Sequence, residues 1–377
     1  MRKILIMNDL VHSGGVEKIL EELVNFLPQD KYKITVMSIF DQSDDFKKHY
    51  PSYAKYISLH KKFPPNTYKR TSVKHYILAV YNRICQPLFV KYMKLKKYDI
   101  VIAIKEGLCM KFLADFKAKN KIAWVHVDYN YLYWTKNVFP SAEDELECMK
   151  KYDNVVCVSH AALNSVKDTV GNPGNLIVRY NPMNVDEIIE KSKQVPKDFI
   201  ELKKNFAGTI LVAVGGLRKQ KNYISLLKCC NKLKSDFEFK LLIIGEGSER
   251  FVLEEYIESN ELGEKVILLG NRDNPYPYVA NADWFVSSTD WESYGLAIQE
   301  ALILKTPVLT TTCPAIMECV SEKEAVLVDN DEKSLYEGLY KILSDKYLRE
   351  KYILNINRRT QKNMYNDKFE EIEKLWL

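Results

Sequence analysis

Residues 287–302 read Ser287-Ser-Thr-Asp-Trp-Glu292-Ser-Tyr-Gly295-Leu-Ala-Ile-Gln-Glu300-Ala-Leu302 and predict a strand end, a turn and a helix in succession. The backbone N–H groups of Tyr294, Gly295 and Leu296 would lie at the positive end of that helix, where anions bind. Glu292 falls in the loop, within reach of a ligand. Glu300 falls more than one turn inside the helix, where a carboxylate can accept hydrogen bonds from two hydroxyl groups. Two unrelated surface glutamates are the alternative interpretation.

Short apolar runs like the one that ends at Ser287 recur along the chain, with amphipathic helical stretches between them. Continuous apolar runs of this length suit strands that are buried on both faces of a parallel sheet. Alternating strands and helices indicate α/β units with right-handed crossovers. The predicted strands are Ile4–Met7, Ile34–Ile39, Ile100–Ile104, Ile122–His126, Val155–Ser159 and Leu176–Tyr180, then Ile210–Gly215, Lys240–Ile244, Val266–Leu269, Trp284–Ser287, Val308–Thr311 and Ala325–Val328.

The chain has 377 residues, which suits two domains. We predict two Rossmann-like, doubly wound parallel-sheet α/β domains over residues 1–182 and 183–360, facing each other across a cleft. A C-terminal helix over residues 361–377 would pack back across the junction. The net charge of +5 does not indicate a nucleic-acid-binding protein. The eight cysteines form no CxxC pair, which favours reduced thiols over disulfides or a zinc site.

Two further glycine turns follow predicted strands, at Ser13-Gly14-Gly15-Val16-Glu17 and at Gly215-Gly-Leu-Arg218-Lys-Gln-Lys221. Glycines let backbone N–H groups approach an anion at a helix start, and a lysine beside them can neutralise a diphosphate. The first turn departs from the GxGxxG spacing of nicotinamide-binding sites. Tight strand–helix connections and a solvated basic loop are the alternatives.

Residues 287–302 resemble the signature of the retaining glycosyltransferase family 4, which has the GT-B fold: a Glu, seven residues and a second Glu around a Gly-Leu step. The resemblance covers nearly the whole chain and is most specific over Leu211–Val328. Other segments similar to the family are Gly14–Glu17, Trp124–Asp128, Val156–Ser159, Asn181–Met183, Gly245–Gly247 and Gly270–Tyr278.

The resemblance implies a role for each matching position in the second half. Glu300 would bind the ribose of a nucleotide, and Glu292 would touch the donor sugar. Lys221 would neutralise the diphosphate. Arg272 would lie beside the base, mainly through its backbone.

In the first half, the resemblance implies that Gly15 approaches the diphosphate and that His126 hydrogen-bonds the transferring sugar. A histidine satisfied by backbone at a strand end is the alternative for His126. One position departs from the family, which places an arginine directly after the first glycine of the donor loop. Gly216 stands there in this chain, and Arg218 follows two residues later. Arg218 could supply the phosphate contact from its own backbone position.

Asp329-Asn-Asp331 matches a pattern by which other glycosyltransferases hold a divalent metal. It also follows a predicted strand and precedes a predicted helix, so a turn with a helix cap explains it. We expect no metal and no cofactor, with the sugar nucleotide as a substrate. Helix N-termini and Lys221 would stabilise the charge that develops on the leaving diphosphate.

Residues 61–97 carry many basic and aromatic residues but no Asp or Glu. This composition suits an anionic membrane surface, and no recognised nucleic-acid-binding module accompanies it. A solvated basic face packed on the sheet is the alternative. In the resembling family this region handles the acceptor, and a lipid-diphosphate-linked saccharide acceptor would explain the charge.

Together with these features, the resemblance implies a retaining, metal-independent hexosyltransferase that moves a sugar from a UDP-sugar to a saccharide or lipid-linked saccharide, in cell-surface polysaccharide biosynthesis. The first apolar run is too short for a signal peptide, and no apolar stretch reaches transmembrane length, so we expect a cytoplasmic protein at the inner face of the membrane. The alternatives are a sugar-nucleotide epimerase or phosphorylase of the same fold and a non-catalytic donor-binding subunit. Gly216 favours the last, whereas Glu292, Glu300 and Lys221 disfavour it.

Overall fold

The computed structural model describes residues 1–9, 14–40, 50–60, 91–93, 96–358 and 368–376. The chain divides into two compact units, one formed by Met1–Met183 with Asp367–Leu377 and the other by Asn184–Asn366. Each unit is built on one parallel sheet flanked by helices. The predicted fold class, two doubly wound parallel-sheet α/β domains, is therefore confirmed.

The first unit has a seven-stranded sheet in the order β3-β2-β1-β4-β5-β6-β7. Its strands are β1 Arg2–Asn8, β2 Tyr32–Phe40, β3 Lys55–His60, β4 Ile100–Ala103, β5 Asn120–Val125, β6 Asn154–Cys157 and β7 Leu176–Val178. Its main helices are α1 Gly15–Phe26, α2 Leu108–Leu113, α3 Ala142–Met149 and α4 His160–Thr169. The central strands β1 and β4 are buried, so the charged residues that follow them lie at the carboxyl edge of a rigid sheet.

Three features of the first unit differ from the sequence-based expectation. The edge strand β3 was not predicted. The strand predicted over Val155–Ser159 ends at Cys157, because Ser159 caps α4 with its side chain by accepting a hydrogen bond from the backbone N of Ala162 at 3.0 Å. The strand predicted to include His126 ends at Val125, which leaves His126 just beyond the sheet.

The second unit has a six-stranded sheet in the order β10-β9-β8-β11-β12-β13. Its strands are β8 Thr209–Val214, β9 Phe239–Ile244, β10 Val266–Gly270, β11 Trp284–Ser287, β12 Val308–Thr311 and β13 Ala325–Val328. Its helices are α5 Val185–Ser192, α6 Lys197–Asn205, α7 Tyr223–Leu233, α8 Arg250–Ser259, α9 Tyr276–Asn281, α10 Leu296–Ile303, α11 Pro314–Cys319, α12 Glu332–Ser344 and α13 Leu348–Arg358. All six strands predicted for this half are present.

The second sheet is covered on both faces by apolar clusters. Leu211 and Ala213 of β8 pack into one cluster, whereas Ile210 and Val212 pack into the other. This alternation follows from the two-residue period of a strand. It explains why β8 is apolar throughout. Residues that could bind a ligand lie instead in the loops at the strand ends.

A C-terminal segment completes the first unit. Residues 368–373 are helical and lead into a 3₁₀ turn over Lys374–Trp376. The Phe369 ring stacks on Phe26 with ring centroids 4.4 Å apart. Trp376 is buried, its Nε1 donates to the Tyr32 hydroxyl at 3.3 Å, and its carbonyl accepts from Arg2 at 2.9 Å. The described part of the C-terminal helix therefore belongs to the first unit.

Candidate functional site

Two loops lie side by side at the carboxyl ends of the neighbouring strands β8 and β11. The Thr289 hydroxyl donates to the carbonyl of Gln220 at 3.1 Å, and the Ser288 hydroxyl donates to the carbonyl of Lys221 at 2.8 Å. The backbone N of Asp290 also donates to the Gln220 carbonyl at 2.8 Å. These bonds hold the two loops together, so their charged side chains meet at one place.

Lys221 and Glu292 form an ion pair between these loops. Their side chains are 22% and 12% exposed, so water screens the pair only partly. Both residues line a cavity of about 20 Å³, together with Ser287 and Gly295. That volume is about the size of one water molecule. The lysine expected at the diphosphate and the glutamate expected at the donor sugar are thus paired with each other in the ligand-free structure.

Helix α10 begins beside the same cavity. Gly295 caps it in the left-handed region, with φ of 75°, and a Cβ there would lie 2.6 Å from Cδ1 of Ile316. Only glycine fits this position without strain. The turn from Tyr294 to Leu296 therefore directs the positive end of the helix toward the site.

Glu300 is the fifth residue of α10 and is 9% exposed. Its Oε1 accepts a hydrogen bond from the Tyr276 hydroxyl at 3.1 Å. The side chain is thereby oriented before any ligand binds. A carboxylate held in this way can accept further hydrogen bonds from vicinal hydroxyl groups.

The side chain of Arg218 folds back over Gly216. A Cβ at Gly216 would lie 3.3 Å from Nε of Arg218. The arginine thus lies beside the very position at which the resembling family carries its own arginine. Arg218 and Lys221 present two positive charges from one loop.

Arg272 follows β10, and its side chain is engaged within the unit. Its guanidinium pairs with Asp198 at 3.4 Å and donates from Nε to the Tyr278 hydroxyl at 3.2 Å. Tyr278 in turn donates to Asp198 at 2.9 Å. The side chain of Arg272 is thereby held by groups of the second unit.

The first unit gathers charged residues that the sequence analysis did not single out. Asp9 follows β1, and Lys105 and Glu106 follow β4, the neighbouring strand. The Lys105 ammonium pairs with Asp9 at 3.0 Å. The signal was present in the sequence, because all three residues come just after apolar strands, where ligands of α/β sheets bind. Gly15 is exposed at the start of α1.

His126 follows β5 at the same edge of the first sheet. Burial lowers the pKa of its imidazole to about 3, so the ring is neutral at physiological pH. The ring hydrogen-bonds the backbone of Ile104. Its Nε2 is buried and has no hydrogen-bond partner among the described residues. The Ile104 contact is therefore made through Nδ1.

The triplet Asp329-Asn-Asp331, which resembles a metal-binding pattern, contains a helix cap. Asp331 caps α12 by accepting a hydrogen bond from the backbone N of Ser334 at 2.9 Å. Across the part of the chain that the structure describes, no three His, Cys, Asp or Glu side chains are grouped as metal ligands would be. Within the same ranges, every helix is too short or too polar to cross a bilayer. Of the basic stretch over residues 61–97, only residues 91–93 and 96–97 fall among the described ones.

Two family models match the chain. The model "Glycosyltransferase Family 4" matches residues 13–187, and "Glycosyl transferases group 1" matches residues 194–359. Together they span most of both units.

Curated proteins match part of the chain. An N-acetylgalactosamine-N,N'-diacetylbacillosaminyl-diphospho-undecaprenol 4-alpha-N-acetylgalactosaminyltransferase from Campylobacter jejuni is 30% identical over 227 residues, covering 58% of this chain and 59% of the relative. An N-acetyl-alpha-D-glucosaminyl L-malate synthase from Bacillus anthracis is 22% identical over 58% of this chain and 56% of the relative. The chain thus spans under two thirds of the length of either relative.

Solved structures match over the full length. Anabaena HepE in complex with UDP-glucose has a TM-score of 0.78 at 15% identity, with 99% of each chain covered. Sucrose-phosphate synthase from Thermosynechococcus elongatus has a TM-score of 0.75 at 17% identity, covering 100% of this chain and 98% of that one. At these identities the likeness shows the fold alone.

Proposed function

The chain belongs to glycosyltransferase family 4 and has the GT-B fold, and from that premise we propose that it transfers a sugar from a UDP-sugar to a saccharide or lipid-diphosphate-linked saccharide with retention of configuration. The proposed setting is the synthesis of cell-surface polysaccharide. Its relatives support this setting, since one acts on a diphospho-undecaprenol-linked saccharide and another is named for capsular polysaccharide biosynthesis in Staphylococcus aureus.

The observation that carries the proposal is the meeting of Lys221 and Glu292 beside the start of α10. A diphosphate placed there would bring negative charge to the lysine and to the positive helix end. Glu292 would then be released from Lys221 and could accept hydrogen bonds from sugar hydroxyls. Arg218 would add a second positive charge from the same loop, and Glu300 would accept the ribose hydroxyls.

In the proposed reaction, the bond between the anomeric carbon of the sugar and the phosphate oxygen breaks. The acceptor oxygen forms the new bond from the face that the phosphate leaves, and its proton passes to the departing phosphate. Negative charge grows on the phosphate as the bond lengthens, so Lys221 and the helix end bind the transition state more tightly than the ground state. We propose that these groups suffice without a metal ion.

In the first unit, we propose that Gly15 lies near the diphosphate and that His126 contacts the transferring sugar. A neutral imidazole suits this second role, because a cation would oppose the positive charge that develops on the sugar ring. We also propose that the basic stretch over residues 61–97 holds the protein at the inner face of the membrane, next to a lipid-linked acceptor.

The test starts with the thermal stability of the purified protein in the presence of UDP, UDP-glucose and UDP-N-acetylgalactosamine. A true donor should raise the melting temperature by mass action, and UDP should be released when the donor turns over. Conversion of the donor to another sugar nucleotide, with no sugar transferred, would indicate an epimerase instead. Binding without any turnover would indicate a non-catalytic subunit.

A further inference from the structure

Glu106 is fully buried in the first unit, three residues after the end of β4. Each of its two carboxylate oxygens accepts one hydrogen bond. The backbone N of His126 donates to Oε2 at 2.9 Å, and the indole Nε1 of Trp134 donates to Oε1 at 2.8 Å. Burial raises the pKa of this carboxyl group, and the two donors oppose that rise.

The segment after β4 therefore holds His126 at two points. Glu106 binds its backbone N–H, and the backbone of Ile104 binds its ring. The Trp134 ring packs against the next residue of the same segment, Gly107, where a Cβ would lie 2.4 Å from the indole. Gly107 also has a φ of 78°, which favours glycine. The backbone position of His126 is thus tied to β4 rather than left to the loop that follows β5.

A buried glutamate is an expensive way to stabilise a fold. Removing a carboxylate from water costs several kcal/mol unless its partners compensate. The two N–H donors approach different oxygens of the Glu106 side chain, so a carboxylate accepts both, whereas an amide in the same place would turn its NH₂ group toward one of the donors. In return the carboxylate fixes the backbone of His126 and the indole of Trp134.

We propose that Glu106 is a positioning residue of the transfer reaction, which fixes the backbone of His126 so that its imidazole Nε2 meets the transferring sugar. This rests on the contact with the sugar proposed above for His126. Because Nδ1 donates to Ile104, Nε2 carries the lone pair and accepts a hydrogen bond from a sugar hydroxyl. Glu106 itself touches no substrate.

The test uses Glu106→Gln and Trp134→Phe, alone and combined, in the full chain. The measured quantities are UDP release from UDP-glucose or UDP-N-acetylgalactosamine and the affinity for UDP. Glu106→Gln should lower kcat by about 10–100-fold, the effect of a small misplacement of a reacting group. Its UDP affinity should stay within about twofold, since the residues proposed to bind the nucleotide, apart from Gly15, lie in the second unit.

Trp134→Phe supplies a rescue of kcat that a merely structural role of Glu106 would not show. In Glu106→Gln the amide N–H₂ faces one of the two donors. Trp134→Phe removes the indole N–H, so the amide oxygen can turn to the His126 backbone. The kcat of the double variant should therefore be at least about tenfold higher than that of Glu106→Gln, which is the lower bound of the predicted loss. Trp134→Phe alone should remain within about threefold of wild type, because the carboxylate still binds His126. If Glu106→Gln does not fold alone, the double variant is compared with Trp134→Phe instead, and a kcat more than about tenfold lower would overturn the positioning role.

A third variant, His126→Ala, separates the proposed transferase function from the positioning role of Glu106. If Glu106 acts through His126, adding Glu106→Gln to His126→Ala should not lower kcat further. Full activity of Glu106→Gln, no rescue by Trp134→Phe, or additive losses with His126→Ala would each overturn the positioning role while leaving the transferase intact. A fully active His126→Ala would overturn the sugar contact of His126 and the positioning role while leaving the transferase intact, whereas a wild-type protein that releases no UDP would overturn the proposed function.

Discussion

Replacing Glu292 by Gln should tighten the binding of free UDP while slowing sugar transfer. In the ligand-free structure Glu292 is the ion-pair partner of Lys221, the residue proposed to bind the diphosphate. The carboxylate competes with the diphosphate for that lysine and also repels it. The amide has the same shape but no charge, so both effects weaken. UDP lacks the transferred sugar, so it loses no contact with Glu292.

The magnitude follows from the exposure of the pair. A hydrogen bond between charged groups contributes about 1.5–3 kcal/mol. The side chains are 22% and 12% exposed, and partial screening favours the lower end of that range. Since about 1.4 kcal/mol is tenfold in affinity, and the amide keeps part of the contact, Kd for UDP should fall by about 3–10-fold.

Titration calorimetry with UDP and with UDP-glucose measures the effect. The gain for UDP-glucose should be smaller, because the sugar loses its contact with Glu292. Glu254→Gln is the matched control, since it removes one charge of an ion pair to Arg250 on the surface helix α8 and should leave Kd unchanged. Unchanged or weaker UDP binding by Glu292→Gln, at the same ionic strength, would refute the competition between the pair and the diphosphate.

Four further outcomes are expected. Glu300→Ala should weaken UDP binding by about 1–3 kcal/mol in calorimetry, the usual loss for charge-assisted hydrogen bonds; unchanged affinity would rule out the ribose contact. Lys221→Ala should lower turnover far more than the melting temperature, and wild-type activity should survive EDTA; loss restored by manganese would contradict the metal-independent mechanism. Trp376→Ala should destabilise the first unit by about 3–5 kcal/mol in urea unfolding and leave UDP affinity unchanged. The protein should float with acidic but not neutral liposomes, and moderate salt should release it. Replacing Lys94, Lys96 and Lys97 by glutamate should abolish flotation without affecting UDP binding.

The strands that could be predicted are those buried on both faces. β8, with apolar residues in both core clusters, leaves an uninterrupted apolar run in the sequence. β3 escaped prediction because it lies at the edge of the first sheet, where most of its residues are partly or fully exposed. Lys55–His60 therefore mixes polar and apolar residues in a pattern that a short loop would also show.

The candidate site likewise contains residues that could be predicted from the sequence and residues that could not. Glu292, Glu300 and Lys221 were named from local patterns, because each lies in a loop or helix whose spacing is readable in sequence. Asp9 and Glu106 each follow an apolar run, but their meeting at one edge of the sheet could not be predicted, because they are almost one hundred residues apart in sequence and only the pairing of β1 with β4 brings their strands together. The spacing of residues along the chain does not predict which strands pair.

The C-terminal segment also constrains the order in which the protein can be made. The second unit is one continuous stretch, so it can fold while the chain is still emerging from the ribosome. The first unit is translated earlier but needs Phe369 and Trp376, which are made after the whole of the second unit. At about 5–20 residues per second, the nascent first unit waits on the order of 10–40 s with the surface around Phe26 and Tyr32 uncovered. The half of the protein that begins synthesis first is the half that matures last, and chaperones would have the longest access to it.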